Sequence, residues 1–215
     1  MSDSIDNGRR RLLRGSIGAA AMVASAPLLA ATTPRQTEGP FYPAHEQLDT
    51  DADMTRIQGH SEPALGEVVE VTGRVLDEDG KPVADALIDV WQANTHGRYA
   101  HERDSNPAPL DENFQGWARL MTDAEGRYRV RTIRPGAYPV MAGWTRPPHI
   151  HFKIARRGFH ELTTQMYFAG DPLNETDRLL QSVPEPGRSM LLVEFGAAAG
   201  GSVKQGSFDI VLRRV

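Results

Sequence analysis

The feature that most restricts the fold of this chain is a series of short, strand-length segments separated by turn-forming residues. In residues 69–75, Val69, Val71 and Val75 alternate with polar side chains, which is the pattern of a strand with one buried face. The Asp-Gly-Lys-Pro sequence at residues 79–82 then predicts a turn, because these residue types favour the dihedral angles that turns need. The 20 glycines and 15 prolines among the 215 residues are consistent with many such turns.

The same pattern recurs along the rest of the sequence. The segments at residues 117–121 and 128–133 flank an Asp-Ala-Glu-Gly turn and predict a β-hairpin. Only residues 174–181 favour a helix, with Asn174 as its N-cap. Short strands at this spacing predict an all-β fold, an antiparallel β-sandwich, whose remaining strands are expected at residues 86–91, 150–154, 163–168, 191–195 and 208–212.

The sequence before residue 67 divides into two parts. Residues 1–31 combine a cluster of arginines, which begins with Arg9 and Arg10, with a short Ala-rich apolar run, and they predict a signal peptide of the twin-arginine type. The apolar run is too short for a stable membrane span, so we expect export to the periplasm or the extracellular space. The alternative is a disordered basic tail on a cytoplasmic protein. Residues 32–66 are polar and rich in turn residues, which favours an extended arm, and residues 67–215 are expected to form the β-sandwich domain.

The net charge and the absence of cysteine exclude several classes of function. The chain has 24 Lys and Arg against 28 Asp and Glu, a formal charge of -4, and no basic cluster outside its N-terminal segment. A nucleic-acid partner is therefore not expected. Because the sequence has no cysteine, disulfides, thiolate metal sites and cysteine nucleophiles are impossible, and any metal ion must be bound by His, Asp, Glu or Tyr.

The strongest local signal for chemistry is the His-Ile-His sequence at residues 149–151. Side chains two positions apart in a strand lie on the same face, so His149 and His151 are expected side by side, as half of a metal site. A pair of surface histidines is the alternative. Two tyrosines, Tyr99 and Tyr138, occur in Gly- and Pro-containing loops, where an exposed tyrosine is common and a metal ligand is rare. Spacing alone also leaves open a zinc or copper enzyme, which would need a further His or acidic ligand.

Five sequence strings together resemble a known family. The loop-borne strings are Gly-Arg-Tyr at 97–99 and Gly-Ala-Tyr-Pro at 136–139, and the strand-borne strings are Asp-Val-Trp-Gln-Ala-Asn at 89–94, Arg-Pro-Pro-His-Ile-His-Phe at 146–152 and Gln-Met-Tyr-Phe-Ala-Gly-Asp at 165–171. Taken in their order along the chain, they resemble the intradiol ring-cleavage dioxygenases, in the branch of the metal-bearing (beta) subunit of protocatechuate 3,4-dioxygenase. The resemblance runs from about residue 37 to residue 171 and so covers most of the chain after the predicted signal.

The resemblance implies a metal site and an activity. Tyr99, Tyr138, His149 and His151 match the positions that bind one non-haem iron(III) ion in the family. Anionic phenolate oxygen suits such a hard, highly charged cation, and coordination removes the phenol proton well below its ordinary pKa of about 10. The implied reaction takes a catechol-type substrate and O2 and gives a cis,cis-muconate-type diacid.

The resemblance also implies three catalytic residues. Tyr138 matches the tyrosine that leaves the metal and takes up a proton when the catechol binds. Arg146 matches an arginine that faces the substrate, where it would stabilise negative charge on the ring. A salt bridge that only positions the histidine strand is the alternative role for Arg146. Gln165 matches a further position near the iron site.

Some features depart from the family's pattern or leave its implications open. Val140 stands where these enzymes usually carry tryptophan, so the resemblance does not imply which catechol is the substrate. All four ligand positions are present, which implies the metal-bearing type of subunit and leaves a homo-oligomer open. Residues 71–86 are similar to transthyretin-like β-sandwich domains, so a non-catalytic binding module of the same fold is the alternative function.

Overall fold

The structure is a computed structural model that describes residues 31–45, 49–197, 201 and 203–215. The predicted signal peptide at residues 1–31 lies outside these ranges except for its last residue, so the signal and the export that follows from it stay predictions. Within the described ranges, no helix is both long enough and apolar enough to cross a membrane.

Twelve strands and three short helices make up the described fold. The helices are a 3-10 helix at Pro172–Thr176, α1 at Arg178–Gln181 and α2 at Gly187–Met190. In chain order the strands are β1 (Val68–Asp77), β2 (Leu87–Trp91), β3 (Trp117–Met121), β4 (Arg127–Ile133), β5 (Tyr138–Met141), β6 (Trp144–Arg146), β7 (His149–Ala155), β8 (Leu162–Phe168), β9 (Leu192–Val193), β10 (Gly196–Ala197), β11 (Lys204–Ser207) and β12 (Ile210–Leu212).

The strands form two main sheets and one small ribbon. In the first sheet the long strand β1 pairs antiparallel with β4 on one side and parallel with β11 and β12 on the other, and β10 extends β11. The second sheet has the order β3-β2-β7-β8-β9. Strands β5 and β6 form a separate two-stranded ribbon. The all-β prediction is therefore confirmed, but the sheets are mixed, because β1–β11, β1–β12 and β8–β9 are parallel pairs.

Apolar side chains from both sheets form one continuous core. On β7, Ile150, Phe152 and Ile154 are fully buried in this core, and Phe152 packs on Tyr128 of β4 and on Phe208. Because side chains alternate across a strand, the two histidines of β7 must lie on its opposite face. The other face of β7 is therefore where a functional site can be built.

The described part of the arm, residues 32–45 and 49–66, is hydrogen-bonded to both sheets. The backbone amide of Gln36 donates to the Thr163 carbonyl of β8 at 2.8 Å, and the backbone amide of Met54 donates to the Arg131 carbonyl of β4 at 2.9 Å. The Met54 side chain is fully buried in the core. The arm is thus an integral layer of the domain, and Glu38 of the arm pairs with Lys153 of β7, the strand that carries the two histidines.

The predicted hairpin between residues 117–121 and 128–133 is wrong. Strand β3 pairs with β2, whereas β4 pairs with β1, so the intervening turn crosses from one sheet to the other. The Asp123 carboxylate accepts hydrogen bonds from the backbone amides of Glu125 and Arg127 and closes that turn. Alternation in a sequence shows which face of a strand is buried, but it does not identify the partner strand.

The predicted helix at residues 174–181 is also corrected. It is a 3-10 helix followed by α1, and the N-cap of α1 is Asp177, whose side chain accepts from the amides of Leu179 and Leu180. Asn174 is buried, and its side-chain amide donates to the Phe168 carbonyl at 2.8 Å. Asn174 therefore ties the 3-10 helix to the end of β8 instead of starting a helix.

Candidate metal centre

Strand β7 places its two histidines between two neighbouring strands. In the antiparallel register with β8, His149 lies opposite Tyr167 and His151 lies opposite Gln165. On its other side, His151 lies opposite Trp91 of β2. His149 and His151 are both buried, with their ring centroids 5.0 Å apart. The predicted side-by-side arrangement is confirmed, and the alternative of two surface histidines is excluded by their burial.

Hydrogen bonding fixes which nitrogen of His149 is free to bind. Its Nδ1 lies 2.7 Å from the carbonyl oxygen of Pro147, so Nδ1 carries the proton and donates it. The lone pair of this imidazole is then on Nε2. The Nε2 atom lies 3.5 Å from the hydroxyl of Tyr99 and 3.5 Å from the hydroxyl of Tyr138. The structure therefore brings both predicted tyrosines to the same nitrogen of one histidine.

His151 completes the group of four side chains. Its ring stacks on Trp91 with a centroid distance of 4.7 Å and an interplanar angle of 14°. The ring centroid of Tyr99 is 6.3 Å away. The Nδ1 atom of His151 is buried and has no hydrogen-bond partner among the described residues. The polar atoms of a buried histidine that serves only packing normally have hydrogen-bond partners in the protein. The unpaired nitrogen therefore favours a role for His151 in binding a ligand or an ion.

Two glycines hold the tyrosine loops against each other. The amides of Gly97 and Gly136 both donate to the carbonyl of Asn94, at 3.0 and 2.9 Å. A Cβ atom on Gly136 would lie 2.4 Å from the Gly97 nitrogen, so the two loops touch backbone to backbone. Because Tyr99 and Tyr138 are each two residues beyond one of these glycines, this contact sets the distance between their hydroxyls.

We therefore expect Gly136→Ala to weaken the site. The added methyl group would push the two loops apart, which costs about 1–3 kcal/mol of unfolding free energy as for other overpacked sites. Displacement of the tyrosines is expected to lower iron affinity by roughly tenfold or more, as for other changes just outside a ligand set. Denaturant unfolding and iron titration measure the two effects.

The matched control for that variant is Gly196→Ala. A Cβ atom at Gly196 would have no heavy atom within 4 Å, so unfolding free energy should change by less than about 0.5 kcal/mol. Equal iron affinity in the Gly136→Ala variant and the wild type would show that the contact between the loops does not set the site.

Burial keeps all four side chains electrically neutral in the absence of a cation. It lowers the pKa of His149 and of His151 well below the ordinary value, and the nearby positive charge of Arg146 adds to this effect. Burial also raises the pKa of Tyr99 well above its ordinary value, and it raises the pKa of Tyr138 although the charge of Arg146 opposes that shift. Neutral imidazoles are ready to bind a metal ion, whereas the phenols need a cation before they ionise.

These donors fit a hard trivalent cation. Two ligand atoms that share one ion at bonds of roughly 2.0–2.2 Å lie roughly 3.0–3.5 Å apart, which matches the separation of the His149 nitrogen from each tyrosine oxygen. Residues 31–45, 49–197 and 203–215 contain no group of three or more His, Cys, Asp or Glu side chains that is arranged to hold a metal ion. The oxygen donors next to the histidine pair are therefore phenols, which favours iron(III) over zinc.

Arg146 lies beside this group in a buried polar network. Its Nε donates to the Asp177 carboxylate at 2.6 Å, and its Nη2 donates to the side-chain oxygen of Gln165 at 2.6 Å and to the Tyr167 hydroxyl at 3.0 Å. The Gln165 side-chain amide donates in turn to the Thr37 carbonyl at 2.8 Å. Arg146 thus both forms a salt bridge and lines the cavity described below.

Sequence reasoning missed Tyr167 and Asp177. A signal for Tyr167 existed in the sequence. Gln165 and Tyr167 are two positions apart on one strand, on either side of Met166, just as the two histidines lie on either side of Ile150. No comparable signal marked Asp177, which reaches Arg146 only through the tertiary fold.

A cavity of about 630 Å³ opens beside the four side chains. Tyr138, Arg146 and His151 reach its wall, whereas Tyr99 does not. The rest of the wall comes from the arm (residues 37–41), the loop at residues 104–107, the β5–β6 ribbon and Leu179. Its size is typical of a small-molecule site.

Comparisons with known proteins show which proteins the chain is similar to. A family model described as "Dioxygenase" matches residues 37–214. The chain is 48% identical over 185 residues to the protocatechuate 3,4-dioxygenase beta chain of Burkholderia cepacia, an alignment that covers 83% of this chain and 78% of that protein. It is 39% identical over 153 residues to catechol 1,2-dioxygenase 2 of Acinetobacter lwoffii, covering 65% of this chain but only 52% of that relative. Among solved structures, 3-chlorocatechol 1,2-dioxygenase of Rhodococcus opacus 1CP superposes with a TM-score of 0.67 at 27% identity, covering 85% of this chain and 73% of that one.

Proposed function

The chain belongs to the intradiol ring-cleavage dioxygenases, and from that premise we propose that it cleaves a catechol-type aromatic between its two hydroxylated carbons. In this proposal the reaction uses one iron(III) ion, and the residues that hold it are Tyr99, Tyr138, His149 and His151. The observation that carries the iron assignment is the convergence of two phenol oxygens on the lone-pair nitrogen of His149. The neighbouring His151 has a buried nitrogen without a protein partner. Iron(III), when bound, would supply a Lewis-acidic centre that accepts both substrate oxygens and draws electron density from the ring.

The two tyrosines have different surroundings, which gives them different roles. Tyr99 is buried away from the cavity, and its backbone amide donates to the Asp104 carboxylate at 2.7 Å. Tyr138 is partly exposed and lines the cavity at the start of β5. Tyr138 is therefore the side chain that can move aside for the substrate, with its Oη atom holding the proton that a catechol hydroxyl releases. Tyr99 would remain in place as a ligand of the iron throughout.

We assign Arg146 a role at the substrate ring. It is a cation in the wall of the cavity, and Asp177 and Gln165 fix its guanidinium group in one orientation. A fixed cation in a water-poor site stabilises negative charge that develops on the ring during cleavage. Gln165 is then a positioning residue for Arg146, and through its bond to the Thr37 carbonyl it also holds the arm at the edge of the cavity.

Reaction with isotopically labelled oxygen tests this function directly. Iron-loaded protein supplied with catechol and ¹⁸O₂ is expected to give a muconate-type diacid that carries both labelled atoms, as mass spectrometry would show. A ring-opened aldehyde would mean cleavage beside the hydroxyl pair and would contradict the proposal. So would the absence of any product from protein with one iron per chain.

A further inference from the structure

The charges around the cavity are unevenly distributed. Among the described residues that line it, the carboxylates belong to Glu38 and Asp104, and the only Lys or Arg is Arg146. Arg146 is deep in the wall, with 4% of its side chain exposed, and it is paired with Asp177. The outer part of the cavity therefore offers no free cation on its described wall.

Two further cations, Lys153 and Arg178, contact lining residues and have partners of their own. Lys153 donates to Glu38 at 2.9 Å and lies 3.6 Å from Glu161. The guanidinium carbon of Arg178 lies 5.3 Å from the ring centroid of Trp144. Neither Lys153 nor Arg178 lines the cavity.

The outer wall is instead largely apolar. The β5–β6 ribbon contributes Val140, Met141 and Trp144, and α1 contributes Leu179. Val140 and Met141 are 45% and 55% exposed, which leaves apolar surface for a ligand to cover. Covering such surface stabilises a complex, whereas burying an unpaired charge against it is unfavourable.

We propose that this cavity selects catechols that carry an uncharged, apolar ring substituent and discriminates against catechols that carry a ring carboxylate. The inference rests on the function proposed above, in which the two substrate oxygens bind at the iron beside His151 and Tyr138. Because an aromatic ring is rigid, a substituent on the edge opposite those oxygens points away from them, toward the apolar outer wall. There a carboxylate finds no free cation among the described lining residues, whereas a methyl group meets apolar side chains such as Val140 and Met141.

Three catechols with different substituents at one ring position test the proposal. They are 4-methylcatechol, 3,4-dihydroxybenzoate and the methyl ester of that acid, which keeps the bulk of the carboxylate without its charge. Oxygen uptake by iron-loaded protein is expected to give kcat/KM roughly 100-fold lower for the acid than for either neutral compound, the ratio expected when one buried charged group is left unpaired. Anaerobic calorimetric titration should show the same order in the dissociation constants, independently of turnover.

A charge-introducing variant with a matched neutral control links the effect to the wall. Val140→Lys places an ammonium group in the outer cavity and is expected to raise the acid-to-methyl ratio of kcat/KM by about tenfold or more, with a reduced effect at high salt. Val140→Met adds a chain of comparable length without charge, and it should leave that ratio close to the wild-type value.

The outcomes separate this inference from the proposed function. Cleavage of all three compounds, with the acid equal to or better than the neutral compounds, would overturn the selectivity and leave ring cleavage intact. Equal poor use of the acid and its ester would show that bulk and not charge is excluded, and it would also overturn the selectivity. Failure to cleave any of the three by protein with bound iron would instead contradict the proposed function.

Discussion

Replacing His149 with alanine is expected to lower affinity for iron(III) by more than about 100-fold and to abolish ring cleavage. Changes just outside a ligand set already cost about 10- to 100-fold in metal affinity, so loss of a ligand should cost more. His149 is the side chain whose Nε2 faces both tyrosine hydroxyls, and Pro147 fixes its orientation. Its removal therefore takes away the atom around which the site is arranged.

Metal analysis and iron titration of the His149→Ala protein measure that loss. The matched control is His160→Ala, because His160 is exposed and is not one of the four proposed ligands. The control should bind one iron per chain with wild-type affinity. Stoichiometric iron in the His149→Ala protein, with wild-type turnover, would show that the metal is held elsewhere.

Replacing Asp177 with alanine is expected to reduce the free energy of unfolding by about 3–5 kcal/mol, because it leaves the Arg146 charge buried without its partner. The Asp177–Arg146 pair is almost fully buried, at 0% and 4% side-chain exposure. Asp177 is also the N-cap of α1, and loss of such a cap costs about 1 kcal/mol. Catalysis should fall as well, because Arg146 loses the contact that orients it toward the cavity.

Denaturant unfolding of single and double variants tests this coupling. Glu67→Ala is the control, since Glu67 pairs with Lys204 at the surface and its loss should cost less than about 1 kcal/mol. The double variant Asp177→Leu with Arg146→Met removes both charges and should be more stable than Asp177→Ala, although it should lack activity. The single variants Asp177→Leu and Arg146→Met complete the comparison. If the loss of unfolding free energy in the double variant equals the sum of the losses in these two, the pair is not energetically coupled.

The strands that could be predicted from sequence are those with a regular alternation of apolar and polar residues. β1 and β3 are clear examples, because each has one face in the core, and the His-x-His spacing on β7 correctly placed two imidazoles together. The β5–β6 ribbon was missed because most of its side chains are partly or fully exposed, so no buried face marks it. Strand β11 was missed because it contains Lys204, Gln205 and Gly206 and joins β1 only as a parallel neighbour distant in sequence.

The candidate site was predictable to the extent that it is encoded in short motifs. Residue patterns alone left Tyr99 and Tyr138 as ordinary loop tyrosines, and only the family resemblance joined them to the histidines. What brings them together is the backbone contact of Gly97 and Gly136, which are distant in sequence. Asp177 was out of reach for the same reason, because its pairing with Arg146 depends on where α1 packs.

The visible absorption spectrum of the iron-loaded protein tests the central claim, that tyrosinate oxygens bind iron(III), most directly. We expect a broad tyrosinate-to-iron charge-transfer band that is weakened and shifted in Tyr99→Phe and in Tyr138→Phe and is lost when both changes are combined. Tyr128→Phe is the control, because the Tyr128 hydroxyl donates to the Phe208 carbonyl in the core and should not affect the band. A protein with one iron(III) per chain but no such band, or a band that persists in the double variant, would contradict the assignment of these two tyrosines as ligands.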